Sequence, residues 1–97
     1  MTYKVLKDNY IYYYIGEVNE CFIVIIDTPI FNGYVGEIPK VIGRSYDFHS
    51  FQSDDEFEYF TFYEGVSDLK KEIITQDEFK SKYKSAFSMF NSIITQL

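Results

Sequence analysis

The chain has little of what most reaction centres are built from. It holds one cysteine, one histidine, two prolines and no tryptophan in 97 residues. A single thiol excludes an internal disulfide. Cys21 lies in an apolar run, where a buried, inert thiol is expected, and it fits a reducing compartment. Cys21 and His49 stand twenty-eight positions apart, which excludes a zinc site of clustered ligands. Asp54-Asp55-Glu56 lacks the regularly spaced oxygens and glycine turn of a calcium loop and reads as a solvated acidic turn. Neither GxGxxG nor GK[ST] occurs, so no phosphate loop is expected. His49 has Asp47 and Ser50 beside it, but neighbours in sequence usually point different ways and do not make a triad. A small domain also leaves little room for a deep glycosidase-type cleft between carboxylates. The reading is therefore a protein that is not an enzyme, with no cofactor and no metal.

Long apolar runs and positive charge are scarce as well. The longest strictly apolar run is Cys21 to Ile26, far short of the ~20 residues a membrane helix needs. The first ten residues, MTYKVLKDNY, do not have the pattern of a signal peptide, so a cytoplasmic location is expected. Nine bases against fifteen acids leave a net charge of -6. That balance argues against direct nucleic-acid binding, which needs a basic face.

What the chain has in abundance is aromatic side chains and one acidic stretch. Ten Tyr and ten Phe make up 21% of the residues. Phe fills a core, whereas buried Tyr must place its hydroxyl, so an aromatic surface or interface is expected. Tyr46 to Glu64 reads YDFHSFQSDDEFEYFTFYE, with six carboxylates, eight rings and no Lys or Arg. The other residues carry equal numbers of acids and bases, so the whole net charge sits in this stretch.

Taken in order, residues 1–97 read as one domain. Tyr3 to Leu6 is a short strand. Tyr10 to Ile15 is a strand with Ile11, Tyr13 and Ile15 on one face. Tyr10, Tyr12 and Tyr14 fall on the other face, either covering a second apolar layer or forming a ledge for a partner. Gly16 to Glu20 is a hairpin loop, and Cys21 to Asp27 a central strand, apolar on both faces. Thr28-Pro29 stops that strand, and Asn32-Gly33 is a turn. Tyr34 to Ile42 is an edge strand or a loop against the sheet, Gly43 to Gln52 a loop, and Ser53-Asp54-Asp55 a turn. Phe57 to Tyr63 alternates as a strand, with Phe60 and Phe62 toward the core and Glu58 on their face. Gly65 to Asp68 turns the chain, and Leu69 to Ile74 is a last strand. Thr75-Gln76-Asp77-Glu78 is a capping box opening a helix to about Gln96. Its apolar stripe is Phe79, Tyr83, Ala86, Phe87, Phe90, Ile93, Ile94 and Leu97. The expected fold is α+β, an antiparallel sheet of four to six strands with one long C-terminal helix packed on one face.

The function expected is recognition of a basic protein. Clustered carboxylates speed encounter with a positive surface, and interleaved rings supply the anchors that charge alone does not. The partner-binding residues read from the stretch are Asp47, His49, Asp54, Asp55, Glu56, Glu58, Tyr59 and Tyr63. In size, in acidity, and in DDEFEYFTFYE followed by one amphipathic helix, the chain resembles the small acidic immunity proteins of bacterial toxin systems, including those of contact-dependent growth inhibition. That resemblance implies a cytosolic inhibitor of a cognate toxin domain, with a nuclease as the natural basic partner. Two alternatives stand beside it. One is a phage-type mimic of DNA that blocks a defence nuclease; the other is a homo-oligomerising domain, a homodimer whose tyrosines bury against a second copy.

Overall fold

The computed structural model describes the backbone of residues 2–8 and 10–96, and the side chains of all of these except 67 and 89–96. The elements are β1 (Lys4–Lys7), β2 (Tyr12–Val18), β3 (Cys21–Val35), β4 (Ile38–Phe51), α1 (Asp54–Tyr63), β5 (Lys70–Ile73) and α2 (Gln76–Gln96). A 3-10 turn at Val66–Asp68 links α1 to β5. The class is α+β. Five strands form one antiparallel sheet in the order β4-β3-β2-β1-β5.

β3 explains why the sheet is buried on both sides. Its apolar run puts side chains alternately on opposite faces. Val24 joins Leu6, Ile15 and Val66 in one buried cluster, with Phe57 and Phe60 of α1 against it. Ile23 and Ile25 join Phe79 and Ala86 of α2 in the other. The described contacts of α2 rest on residues 76–88; Phe90, Ile93, Ile94 and Leu97 of the predicted stripe lie outside the described side chains. The predicted cap is present on one side, with the Glu78 amide donating to Thr75 Oγ1 at 3.1 Å.

Gly16 is a strand residue, not the start of a loop. It pairs with Ile23, and the hairpin turns on Asn19 and Glu20, with φ of 51° and 66°. Two central residues in the left-handed region suit a two-residue hairpin loop. A Cβ at position 16 would fall 2.6 Å from Tyr3 Cδ1 and 2.7 Å from Phe79 Cε1. The glycine lets these two rings meet over the sheet, their centroids 5.4 Å apart.

The predicted Tyr ledge resolves into three different settings. Tyr14 packs on the Ile23–Ile25 cluster, with Lys82 Nζ 5.1 Å from its ring centre. Tyr12 lies under Arg44 at 5.2 Å and Lys7 at 5.7 Å. Tyr10 precedes β2 and meets the ring of Phe31 edge-on. Cation–π contacts cover the middle of what alternation left open.

The largest departures from expectation lie between residues 28 and 63. Thr28-Pro29 does not stop β3, which continues to Val35, paired with β4. Asn32-Gly33 is not the turn but part of a bulge: the register shifts between Phe31 and Tyr34, where Gly33 has φ 71°. A glycine in left-handed geometry is the usual mark of such a bulge. The turn is Gly36-Glu37, and Gly43 to Gln52 is mostly strand rather than loop. β3 and β4 thus form a long hairpin whose distal half runs beyond β2.

Phe57 to Tyr63 is helix, not strand. Ser53 is its N-cap: Oγ accepts from the Glu56 amide at 3.3 Å, and Asp54, Asp55 and Glu56 fill the first turn. Ser53-x-x-Glu56 has the same spacing as the box at Thr75, and acids in the first turn suit the helix dipole. Gly65, at φ 70°, ends the helix, its amide donating to the Phe62 carbonyl at 3.1 Å. Helical spacing keeps Phe60 toward the core as expected but replaces Phe62 with Phe57. Phe57 and Phe60, three apart, face the sheet, whereas Phe62 is 79% exposed.

Candidate functional site

The acidic stretch folds as the end of β4 followed by α1. Odd-numbered residues of β4 face the α1 side of the sheet: Asp47 pairs with Ile26, His49 with Val24 and Phe51 with Phe22. His49 Nε2 lies 3.2 Å from Asp47 Oδ2, and Asp47 Oδ1 accepts from the Phe48 amide at 3.0 Å. The imidazole rests against Phe60, centroids 5.0 Å apart, and Phe60 lies 5.0 Å from Phe51. Phe57 in turn stacks on Phe22 at 5.2 Å. This row of rings anchors α1 to the sheet.

Above the row is an open recess of about 490 Å³, lined by Phe51, Asp55, Glu56, Tyr59, Phe60 and Tyr63. Phe51 and Phe60 make an apolar floor. Tyr59 and Tyr63, one helical turn apart, stack at 5.8 Å and are 68% and 74% exposed. Asp55 and Glu56 stand at its rim. Rings below and carboxylates beside suit a long cationic side chain, whose stem packs on the floor while its charge meets the rim.

Of the eight predicted residues, Asp55, Glu56, Tyr59 and Tyr63 line this recess, and Asp47 and His49 flank it through the His49–Phe60 contact. Asp54 and Glu58 do not belong to it. At ~100° per residue they fall on the opposite flank of α1 from Glu56 and Tyr63. Phe51 and Phe60 are the lining residues that sequence reasoning left out. The signal that would have found them is the box at Ser53: once 54–63 is helical, Glu56, Tyr59, Phe60 and Tyr63 share a face by three- and four-residue spacing.

A second concentration of charge lies on the α2 side. Asp27, 1% exposed, is held by Arg44 Nε and by Lys82 Nζ at 3.5 Å. Arg44 Nη2 also donates to the Tyr10 carbonyl at 3.2 Å. The hydrogen bond to Asp27 raises the Arg44 pKa above its ordinary value. Burial alone would lower that of Lys82, but Tyr14, Tyr46 and Asp27 outweigh it and the net direction is up. Among the described residues no buried side-chain nitrogen or oxygen lacks a partner. The cluster ties β3, β4 and α2 together. Among the described residues there is also no grouping of three His, Cys, Asp or Glu able to hold a metal, and no helix long and apolar enough to cross a membrane.

No family model, curated protein or solved structure matches this chain.

Proposed function

We propose that the chain is a small protein-binding inhibitor of the immunity type, which binds a basic toxin domain, with a nuclease as the cognate partner. The observation that carries this reading is the recess on α1, where exposed aromatic rings are rimmed by carboxylates in a stretch that holds the whole net negative charge. Negative potential steers a basic surface toward the site, and the rings supply the desolvated anchors that hold it. The action is occlusion of the partner, not catalysis, and takes place in the cytoplasm with no direct contact to nucleic acid. The scaffold is the sheet with the long C-terminal helix packed along one face, as the apolar period of that helix requires. A DNA mimic is less well supported, because ten residues of helix span only ~15 Å and do not spread charge along a groove.

The test is capture of the neighbouring gene's product by the purified chain, followed by a nuclease assay on the captured protein. With a partner in hand, Asp55→Lys combined with Glu56→Lys is expected to slow association roughly tenfold or more and to flatten its salt dependence. Unchanged association rate and salt slope in the folded double variant would overturn the reading.

A further inference from the structure

The recess on α1 holds the parts of an arrangement that the chain completes elsewhere with its own cations. On the α2 side, Arg44 lies 5.2 Å from the Tyr12 ring centre and reaches Asp27 through Nε. Lys82 lies 5.1 Å from the Tyr14 ring centre and 5.6 Å from that of Tyr46, and it too reaches Asp27. Tyrosine rings, one carboxylate and a cation touching both make up that cluster. The recess has rings in Phe51, Tyr59, Phe60 and Tyr63 and carboxylates in Asp55 and Glu56. Among the described residues no Lys or Arg pairs with Asp55 or Glu56, and none sits over Tyr59 or Tyr63. The stretch that builds the recess contains no Lys or Arg of its own.

We infer that the recess is a socket for one arginine side chain of the basic partner, a proposal that rests on the inhibitor reading above and names the group the site holds. Charge selects a cation, since carboxylates and electron-rich ring faces both favour one and the chain brings none to them. Shape selects a side chain carried on a protein surface over a free small cation. Tyr59 and Tyr63 are 68% and 74% exposed, so the recess is open, whereas small-ligand sites enclose roughly 70–90% of what they bind. An open recess reaches that cover only when the surface bearing the side chain closes over its mouth. Chemistry selects guanidinium over ammonium. The floor is apolar and both acceptors stand at the rim. An ammonium is compact and strongly hydrated, and moving it onto the rings removes water that the rings do not replace. A guanidinium is planar and weakly hydrated. Its face lies flat on a ring while its edge N–H groups fork toward the rim. Lys82 keeps its place on Tyr14 as part of the folded chain, with 27% of its side chain in water. A partner's side chain has to leave water on binding. The rim then governs the speed of encounter and the socket the lifetime of the complex.

The test is a nuclear magnetic resonance titration of the full chain with capped tripeptides, glycine on either side of arginine, lysine or citrulline, to about 100 mM at constant ionic strength. Citrulline keeps the shape of arginine without its charge. Saturable shifts of the Phe51, Tyr59, Phe60 and Tyr63 ring signals are expected with the arginine peptide. Its dissociation constant should be on the order of 10 mM, weak because a tripeptide does not cover the mouth of the recess. The lysine peptide should bind roughly threefold or more weakly, and citrulline should not saturate. Tyr59→Ala with Tyr63→Ala, at exposed positions, should keep the amide spectrum of the folded chain and erase the preference for arginine over lysine. Asp55→Asn with Glu56→Gln should weaken arginine binding roughly threefold or more. No saturation with arginine, equal binding of lysine or citrulline, or a preference that survives the ring variant overturns the inference. The two proposals fail separately. A chain that captures a basic toxin but ignores the arginine peptide loses the socket and keeps the inhibitor role. One that saturates with arginine but captures no toxin keeps the socket and loses that role.

Discussion

Asp27 shows how one residue can hold several elements in place. It sits on β3, buried, between a guanidinium from β4 and an ammonium from α2. Removing its charge leaves two cations facing each other with no anion between them. Because Arg44 and Lys82 remain 32% and 27% exposed, water relieves part of that cost. Asp27→Asn is therefore expected to destabilise by about 3 kcal/mol, the low end for breaking a buried pair. Chemical denaturation checks this, and a loss below about 1 kcal/mol would show that the cluster contributes little. Little of this was legible beforehand. Asp27 reads in the sequence as the polar end of a strand, and its partners arrive from seventeen and fifty-five positions away. Gly16 is a similar case. It reads as a loop residue, and the arrival of Tyr3 beside β1 and of Phe79 from α2 leaves no space for a side chain there unless those rings shift.

At the scale of elements, α1 is the instructive one. FEYFTFY alternates well enough for a strand and is rich in residues that favour sheets. Three local features point the other way: the Ser53 cap, the acids of the first turn, and Gly65 in left-handed geometry at the end. These act through the backbone amides and carbonyls that a helix leaves unpaired, and they outweigh an intrinsic strand preference of this size. Ser53→Ala is accordingly expected to cost about 1 kcal/mol of global stability with an unchanged denaturant slope, because Phe57 and Phe60 couple the helix to the core. No change on denaturation would mean that α1 is held by packing alone. The same element carries the candidate site. Its carboxylates were legible as a group, but the division between a recess-facing set and Asp54 with Glu58 needed the helical period.

For the whole molecule, the sheet is a middle layer with buried clusters on both faces, and alkaline pH tests that arrangement. Burial pushes the Tyr14 hydroxyl above its ordinary 10.0, against the pull of Lys82, and pushes that of Tyr13 up with help from Glu64 and Asp8. The unfolded chain therefore loses these protons first, and stability falls as pH rises past about 10. Lys82, raised above 10.5, acts in the same direction: its contribution is complete below that value and is lost as pH climbs through its folded value. Unfolding free energy should stay level with respect to these groups from about pH 7 to 9 and decline above about pH 10, with a shallower decline in Tyr14→Phe. A stability that holds or rises above that pH would contradict the burial of both faces.

The sequence alone was enough for the α+β class, the antiparallel pairing, the central position of Cys21–Asp27, the cap at Thr75 and the concentration of charge in Tyr46–Glu64. Each of these depends on local propensity, short loops or composition, which neighbouring residues determine among themselves. Tertiary structure decided which rings of 54–63 pack against the core, the extension of β3 and β4 past Pro29 and Gly43, and the burial of Asp27. Those outcomes depend on which distant surface a segment meets: Phe57 and Phe60 are half-buried because the helix lays them on an apolar face of the sheet. The hairpin is decided that way too, since a strand edge is only as long as the partner strand that pairs with it.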